Sequence, residues 1–514
     1  MTSTIYSAGL FGIDGFEVTV ECSAWDRIPA FDLVGLPDAA VKEAKNRVRS
    51  ACENSGFVFP PLDLCVNLAP ANQKKEGSSF DLAILCAVLQ CQGIIPHAFD
   101  FSDKMLIGEL SLTGEVRRVD GVLPMCVCAR DQGKKEIYVP IENVAEAAVV
   151  DGIDVYGVAS FRQLVNHFLG KALIEKTPTS FDPKRLSLRS GEEDFSDVRG
   201  QLKAKRALEI AAAGGHNVLM IGPPGSGKSM LAKRIGSILP DMTFEEAITA
   251  TKVHSVMGTL KSDLICTRPF RSPHHTVSPV GLIGGGAKAQ PGEISLAGSG
   301  VLFLDELPEF PKKVTESLRQ PLEDGQVTIT RAAAKITYPS RFMLVCAMNP
   351  CNCGYHGDPN KKCTCSPASV RKYLDRISGP LLDRIDIIIE LPSVSYDEIS
   401  GETPKGERSE KIRARVNAAR EFTRRRLEKA GDDATMLNSA MSPAILQKHC
   451  VPTDEAKELM REAFDSLGLS ARGHDRILRV ARTIADLDGA EQIDADHIGE
   501  AIMYRSLDRK YWNH

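Results

Sequence analysis

Eight consecutive residues combine a flexible backbone with a lysine and a hydroxyl, which is the chemistry needed to hold a polyphosphate. They match the pattern GxxxxGK[ST], and in order they are Gly222, Pro223, Pro224, Gly225, Ser226, Gly227, Lys228 and Ser229. Glycines allow backbone N–H groups to surround phosphate oxygens. A lysine in this place contacts the β- and γ-phosphates, and the hydroxyl that follows coordinates Mg²⁺. Because an apolar run precedes the motif and a helical segment follows it, the sequence predicts an ATP site.

A second motif supplies carboxylates. The apolar run 301–304 is followed directly by Asp305 and Glu306. In open α/β sheets ligands bind outside the carboxyl ends of the strands, so we expect these side chains beside the first motif. Asp305 is predicted to hold Mg²⁺, directly or through water, and Glu306 to polarise the attacking water. Alone, the motif could be an ordinary strand followed by an acidic turn, but its pairing with the first motif favours catalysis.

Four clustered cysteines form a candidate metal site. Cys351 and Cys353 are followed, on a short loop that contains two glycines, by Cys363 and Cys365. Two close thiol pairs on such a loop can surround a zinc ion tetrahedrally. Four free thiols or a redox-active pair are the alternatives, and His356 could replace one ligand. The pattern predicts a structural zinc site.

The elements around these motifs divide the chain into parts. Its 514 residues are too many for one core and suggest about three domains. Apolar runs alternate with helical segments over residues 194–395, which is typical of parallel strands joined by crossover helices. Residues 1–170 mix strands with helices, 171–193 are interpreted as a linker, and 400–514 as helices only. The predicted fold class is therefore α/β, with a helical domain at the C-terminal side.

The composition says little about partners. The formal net charge of −4 gives no global attraction to nucleic acid or to anionic membranes. Neither an apolar stretch of about 18 residues nor a basic segment ahead of an apolar run is present, so no membrane span and no signal peptide are predicted. Four of the 14 cysteines form the cluster described above. The others are scattered singly and are interpreted as reduced core residues. These observations predict a cytoplasmic protein without a membrane partner.

Several further motifs point to one family. They are Asp197-Val-Arg-Gly-Gln201, Arg268-Pro-Phe-Arg-Ser-Pro-His-His275, Ala347-Met-Asn-Pro350, Leu381-Leu-Asp-Arg-Ile-Asp386 and Ser470-Ala-Arg472. Together with the two nucleotide-site motifs, they resemble those of the magnesium-chelatase-like AAA+ ATPases, the family typified by the competence protein ComM, also called YifB. The resemblance covers the whole chain and implies an AAA+ P-loop core with a C-terminal helical lid.

The resemblance assigns roles to three more residues. Asn349 corresponds to the sensor that hydrogen-bonds the γ-phosphate or the attacking water. Arg384 lies where these ATPases carry an arginine finger for the neighbouring subunit, although pairing with Asp383 or Asp386 is an alternative. Arg472 corresponds to a second sensor arginine, which reaches the nucleotide from the lid.

The same resemblance implies a homo-oligomeric ring, a hexamer, with branched or single-stranded DNA in its channel and a role in branch migration during recombination and natural transformation. The alternating arms 325–331 and 335–338 predict a hairpin. Arg331 and Lys335 lie near its tip, where basic side chains could grip DNA phosphates. A solvated hairpin with two surface charges is the alternative.

Residues 1–170 resemble the Lon protease domain. Ser79 lies nearest to the nucleophilic serine of those proteases, whereas Leu123 stands where they carry the activating lysine. A serine without a base is a poor nucleophile. An inactive domain kept for assembly or DNA contact is therefore favoured over an ATP-dependent protease. A metal-insertion motor of the chelatase type is the other alternative, and the Lon-like domain weakens it because the chelatase motor lacks one.

Overall fold

The computed structural model describes residues 2–179, 183–186, 193–260, 262–286, 289–330, 335–393 and 406–512. These residues form two compact units. Unit 1 consists of Met1–Arg185 and Phe244–Ile265, and unit 2 consists of Leu186–Thr243 and Cys266–His514. The chain therefore leaves unit 2 and returns to it within the segment that the sequence predicts to be one continuous core.

Unit 1 is an α/β unit with two four-stranded sheets, in the orders β1-β2-β4-β3 and β10-β9-β8-β5. Its strands are β1 (Thr2–Phe11), β2 (Asp14–Trp25), β3 (Ala30–Val34), β4 (Asp63–Ala69), β5 (Lys104–Leu106), β6 (Glu109–Leu110), β7 (Val116–Arg117), β8 (Glu136–Pro140), β9 (Asp154–Val158) and β10 (Lys176–Thr177). Its helices are α1 (Ala39–Asn54), α2 (Asp81–Cys91), α3 (Val122–Asp131), α4 (Val144–Ala147), α5 (Phe161–Phe168) and α8 (Phe244–Val256).

Hydrophobic patterning accounts for the core of unit 1. Alternate residues of β4 are buried, as the period of two requires for a sheet with one covered face. Every residue of α2 is buried, which agrees with the near-continuous apolar run that predicts a buried helix there. The strand β10 pairs with β9, so the interval interpreted as a linker contains a short strand of unit 1.

Helix α8 belongs to unit 1 although it follows the P-loop helix in sequence. Ala247, Ala250 and Val253 are buried, and the Ser255 hydroxyl donates a hydrogen bond to the buried Glu146 carboxylate. Nothing in the sequence patterning indicates this excursion, because an amphipathic helix is compatible with either unit.

Unit 2 is built on a parallel five-stranded sheet in the order β12-β15-β18-β11-β19, with two small hairpins beside it. Its strands are β11 (Val218–Ile221), β12 (Phe270–Arg271), β13 (Gly284–Gly285), β14 (Gln290–Pro291), β15 (Val301–Leu304), β16 (Gln326–Thr330), β17 (Lys335–Pro339), β18 (Met343–Met348) and β19 (Ile387–Glu390). The helices around the sheet are α6 (Leu202–Gly214), α7 (Lys228–Arg234), α9 (Pro279–Ile283), α10 (Glu293–Leu296), α11 (Lys312–Ser317), α12 (Arg319–Asp324), α13 (Pro367–Leu374) and α14 (Gly379–Leu382).

The C-terminal part of unit 2 is helical, as predicted. Its helices are α15 (Ser409–Lys429), α16 (Pro443–His449), α17 (Asp454–Leu467), α18 (Ala471–Leu487), α19 (Ala495–Met503) and α20 (Leu507–Tyr511). Apolar residues of α15 and α18 share one core with the sheet and α6, and Val416 and Ile484 are examples. Among the helices that the structure describes, none combines the length and the apolar character that a membrane crossing requires.

Candidate active site

The glycine-rich loop joins the carboxyl end of β11 to α7. All four residues of β11 are buried, which suits a strand inside a sheet covered on both faces. Gly225 and Gly227 have φ angles of +80° and +89°, in the left-handed region that favours glycine. A Cβ added at either position would meet no atom within 4 Å, so the loop is open on that side. The backbone conformation, rather than crowding, requires glycine there.

Lys228 lies at the centre of this loop and is 8% exposed. Its Nζ donates hydrogen bonds to the carbonyl oxygens of Gly222 at 2.7 Å and Pro223 at 2.9 Å. Burial lowers its pKa to about 8. The ammonium is therefore held inside the loop by neutral oxygens, and a phosphate would offer it a full negative charge instead.

A hydroxyl and a carboxylate meet beside the lysine. The Ser229 hydroxyl donates a 2.7 Å hydrogen bond to Oδ2 of Asp305, the first residue after β15. The two oxygens belong to the class of ligand that Mg²⁺ prefers, so the residues fit the predicted magnesium site. Glu306 has a φ of +53°, an uncommon conformation for a non-glycine residue, and its side chain is exposed. Such strain is often kept at functional sites.

Asn349 completes the group at the carboxyl end of the sheet. It follows β18 directly, and its Oδ1 accepts a hydrogen bond from Lys228 Nζ at 3.3 Å. The structure thus brings together Lys228, Ser229, Asp305 and Asn349, which come from three adjacent strands of the sheet. This arrangement can bind a polyphosphate and present a polar amide to its terminal group.

Arg384 lies at the other end of the sheet. Residue 387 of β19 is paired with residue 218 of β11, so Arg384 precedes the amino ends of both strands. The P-loop follows the carboxyl end of β11. The four residues of this strand therefore separate Arg384 from the P-loop by about 13 Å. The Arg384 backbone therefore lies at the opposite end of the sheet from the nucleotide site of its own chain.

The immediate partner of Arg384 was not foreseen. Its Nη2 donates a 2.6 Å hydrogen bond to Oε2 of Glu323 on α12, and this contact lowers the pKa of Glu323. The alternative pairing with Asp383 or Asp386 is not observed: Asp383 lies beside Arg472 and Arg476, and Asp386 lies 3.2 Å from His216 Nδ1.

Arg472 is found with Arg384 rather than with the P-loop. Its Nη1 lies 3.6 Å from Oδ2 of Asp383, the residue before Arg384. The buried Arg476 contacts the same carboxylate at 3.3 Å. The two predicted arginines thus form one group at the amino end of the sheet.

Sequence reasoning also missed Asn217. This residue lies immediately before β11, ahead of the apolar run that leads to the P-loop. Its Nδ2 donates a 2.8 Å hydrogen bond to the carbonyl oxygen of Arg384, and its Oδ1 accepts a 2.9 Å hydrogen bond from the backbone N–H of Leu344 in β18. A polar residue at the start of a buried strand was the signal that could have indicated such a role.

The four clustered cysteines converge. Their Sγ atoms all lie within 4.8 Å of one another, and those of Cys351, Cys353 and Cys363 are 3.3 to 3.7 Å apart. Four sulfurs around zinc at about 2.3 Å would be about 3.8 Å apart, so the thiols fit a zinc ion. Hydrogen bonds from the backbone N–H groups of Thr364 and Tyr355 lower the pKa of Cys353, whereas desolvation and the neighbouring thiols raise the pKa of Cys363 and of Cys365.

The remaining cysteines and His356 behave differently. Within the described ranges, the cluster of possible metal ligands consists of the four cysteines and does not include His356. All but Cys65 and Cys266 of the scattered cysteines are buried, which agrees with their interpretation as core residues.

The predicted hairpin is present as β16 and β17. Val327 and Ile329 are buried and their neighbours in β16 are exposed, so one face of the hairpin is packed. Lys335 begins β17 and is exposed. Arg331, the other predicted DNA contact, lies outside the described residues.

Unit 1 contains the serine compared with a protease nucleophile. Ser79 is buried at 6% exposure, and Leu123 is fully buried. Lys75, the lysine nearest in sequence, donates hydrogen bonds from Nζ to the carbonyl oxygens of Pro70 and Gln73. The Lys75 ammonium is thus hydrogen-bonded to carbonyl oxygens of its own loop and is not positioned as a base for Ser79.

Comparisons with known proteins cover both units. Residues 194–399 match the family described as magnesium chelatase, subunit ChlI, and residues 406–505 match its C-terminal domain. Residues 20–143 match a further family described as subunit ChlI of Mg-chelatase. The ATPase core, the helical lid and most of unit 1 therefore have relatives in one group of proteins.

Individual relatives agree with these matches. The competence protein ComM of Haemophilus influenzae is 42% identical over 511 residues, which cover 98% of this chain and 97% of that protein. YifB of Salmonella typhimurium is 41% identical with the same coverage. Lon protease 2 of Bacillus subtilis is 29% identical over 138 residues, which are 27% of this chain and 24% of that protein.

Proposed function

The chain belongs to the magnesium-chelatase-like AAA+ family of ComM and YifB, and we propose that it is a ring-forming motor that couples ATP hydrolysis to movement on DNA. Membership of this family implies ATPase activity with ATP and Mg²⁺. The observation that carries the proposal is the convergence of the P-loop lysine, the Ser229–Asp305 pair and Asn349 at one end of the sheet, with Arg384 at the other.

We assign the steps of hydrolysis as follows. The P-loop and Lys228 bind the phosphates, while Ser229 and Asp305 hold Mg²⁺, which neutralises phosphate charge when bound. Glu306 accepts the proton of the attacking water, and its exposed carboxylate is free to face the terminal phosphate. Asn349 orients that water or the γ-phosphate through its amide.

The position of Arg384 supports action on a neighbour. A guanidinium at the amino end of the sheet cannot contact a phosphate at the carboxyl end of the same sheet, some 13 Å away. It can complete a site on an adjacent subunit if the subunits are arranged head to tail in a closed ring. We therefore propose a hexameric ring in which Arg384, with Arg472 beside it, stabilises the transition state on the neighbouring nucleotide.

DNA is the proposed track of this motor. A relative that is 42% identical is named a competence protein, and the exposed Lys335 lies at the end of the packed hairpin where β16 leads into β17. A basic side chain on a firmly anchored hairpin is suited to contact phosphates without reading sequence. Branched or single-stranded DNA is the proposed substrate, and the cytoplasm the proposed location.

We also propose that the cysteine cluster holds a structural zinc ion. The support is the fit of its four thiols to a tetrahedral site. The cluster follows Asn349 by two residues, and Gly354 within it lies against the P-loop, since a Cβ at Gly354 would come within 2.6 Å of Pro224 Cδ. The metal would therefore brace a loop that supports the nucleotide site.

ATPase rates with different nucleic acids test the motor function. The rate is measured without DNA, with single strands, with duplex and with four-way junctions. We expect a several-fold stimulation by at least one DNA, reduced in a Lys335→Ala variant that keeps its basal rate. Lys429→Ala, which removes a lysine from α15, serves as the matched control and should retain stimulation.

The same assay separates the alternatives. A DNA-independent ATPase rate in all arms would refute the DNA motor and favour a metal-insertion motor of the chelatase type. Protease activity is tested by casein degradation with ATP. We expect no degradation by the wild type and none by the Ser79→Ala variant. Degradation that is lost in this variant would make unit 1 a protease.

A further inference from the structure

The turn that carries Arg384 is fastened to the strand that carries the P-loop. Asn217 is the residue immediately before β11, and its Nδ2 donates a 2.8 Å hydrogen bond to the carbonyl oxygen of Arg384 itself. Its own carbonyl oxygen accepts hydrogen bonds from the N–H groups of residues 386 and 387, at 3.0 and 3.1 Å. Three hydrogen bonds from one residue thus define where the Arg384 backbone lies.

The other side of Asn217 is fixed as well. Its Oδ1 accepts a 2.9 Å hydrogen bond from the N–H of Leu344 in β18, the strand that Asn349 follows. The amide is therefore held at both ends and cannot rotate without losing a bond. One side chain ties the P-loop strand, the sensor strand and the arginine turn together.

We propose that Asn217 is a positioning residue, which fixes Arg384 for action on the neighbouring nucleotide. This inference rests on the proposed role of Arg384 in the neighbouring site. The guanidinium reaches out from a turn only a few residues long, so an error of about 1 Å in its backbone moves the charge away from the phosphoryl group, which can cost about a hundredfold in rate.

The variant Asn217→Asp isolates the contact to Arg384. A carboxylate can still accept the hydrogen bond from Leu344, but it cannot donate, and it places a negative oxygen against the carbonyl of Arg384. Asn417→Ala is the matched control. Asn417 also makes two hydrogen bonds, at 3.2 and 3.1 Å, but both are to Asp241, away from the arginine turn.

The test uses mixed rings of full-length subunits. In the reference mixture, Lys228→Ala subunits supply Arg384 to the intact P-loops of Arg384→Ala subunits, and ATPase activity partly returns. Asn217→Asp is then added to one side at a time. When the Lys228→Ala subunits carry the substitution, it affects only the subunit that donates Arg384. When the Arg384→Ala subunits carry it, it affects only the subunit with the intact P-loop.

We expect opposite outcomes for the two sides. With Asn217→Asp on the donor side, the recovered rate should fall below about a tenth of the reference. With the same substitution on the P-loop side, the rate should stay within about twofold of the reference, as it should with Asn417→Ala on the donor side. Native mass measurements establish that mixed rings form in each case.

Three results would overturn the inference. Equal loss on both sides would mean that Asn217 only supports the fold, and no loss on the donor side would mean that it does not position Arg384. A reference mixture that recovers nothing, although mixed rings form, would refute the action of Arg384 on the neighbour and the inference with it.

Discussion

Lys228 shows how an active site can prepare a charge for a ligand that has not yet bound. Its Nζ is surrounded by the oxygens of Gly222, Pro223, Ser226 and Asn349, none of which carries a full charge. Such partners compensate only part of the desolvation of an ammonium, which is why burial lowers its pKa to about 8. Phosphate oxygens would restore the charged form.

This environment predicts a pH dependence of ATP binding. Below pH 8 the lysine of the free protein is already protonated, so affinity should be level. Above its pKa of about 8, binding must take up a proton, and the dissociation constant should rise towards tenfold per pH unit. Calorimetric titration of the Glu306→Gln variant between pH 7.5 and 9.5 measures this. Lys228→Arg, whose charge persists, should bind with a flat profile, and a flat profile with Lys228 present would contradict the prediction.

Lys228 and Glu306 should fail in different ways when substituted. Lys228→Ala removes the main cationic contact to the phosphates, so ATP affinity and hydrolysis should both fall, the rate by on the order of a hundredfold or more. Glu306→Gln keeps the shape but loses the base, so binding should persist while turnover drops by roughly 10²–10⁴-fold. Binding of a fluorescent ATP analogue and phosphate release distinguish the two. Normal turnover in Glu306→Gln would assign the base elsewhere.

The residues that sequence could identify are those whose local pattern carries the chemistry. The P-loop and Asp305 each follow a buried apolar run directly, and the structure brings them within hydrogen-bonding distance. Glu323 and Asn217 were missed because their partners lie 61 and 167 positions away in the chain. The polar residue ahead of a buried strand signals that Asn217 has a partner, but no local spacing identifies that partner, which depends on the packing of the whole sheet.

At the scale of elements, the cysteine loop packs against the P-loop. Gly354 has a φ of +86° and lies directly against Pro224. The spacing of the cysteines was sufficient to predict that four thiols converge, because a loop of this length brings its ends together at little entropic cost. The contact with the P-loop could not be predicted, since it depends on the course of the chain after β18.

Metal analysis tests the predicted zinc site. The purified protein should contain about one zinc per chain, and Cys363→Ser/Cys365→Ser should contain none, because two ligands cannot hold a structural zinc ion. Cys65→Ser/Cys266→Ser removes two half-buried cysteines outside the cluster and should keep the metal. Equal zinc content in the three proteins would mean that another site holds the metal. An absence of zinc from all three would mean that the four thiols hold no metal.

At the scale of the whole molecule, the unexpected feature is the path of the chain through the two units. The α/β character, the parallel sheet and the helical lid follow from the alternation of apolar runs and helical segments, and they are observed. The assignment of Phe244–Ile265 to unit 1 does not follow, because binary patterning shows that a helix has a buried face but not which surface covers it.

This path predicts that Met1–Arg185 is not a complete folding unit. The apolar face of α8 packs on the core that contains α3, and Lys252 pairs with Asp14 at 2.9 Å. The fragment alone would expose that core, and burial of the few apolar side chains of α8 contributes roughly 2–4 kcal/mol. A fusion that appends Phe244–Ile265 to Met1–Arg185 restores the helix. A flexible linker of about 12 residues joins the two segments and is long enough to span the length of α8.

We expect the fusion to unfold roughly 4–16 °C above the fragment, since about 1 kcal/mol corresponds to 2–4 °C at this size. Thermal unfolding followed by circular dichroism measures the difference. The control is the fusion with Ala250→Glu and Val253→Glu. It keeps the length and linker but places charges at two buried positions, so it should unfold near the temperature of the fragment. If fragment and fusion unfold at the same temperature, α8 adds nothing to the stability of unit 1. The excursion of the chain would then be a connection between the units rather than part of the core of unit 1.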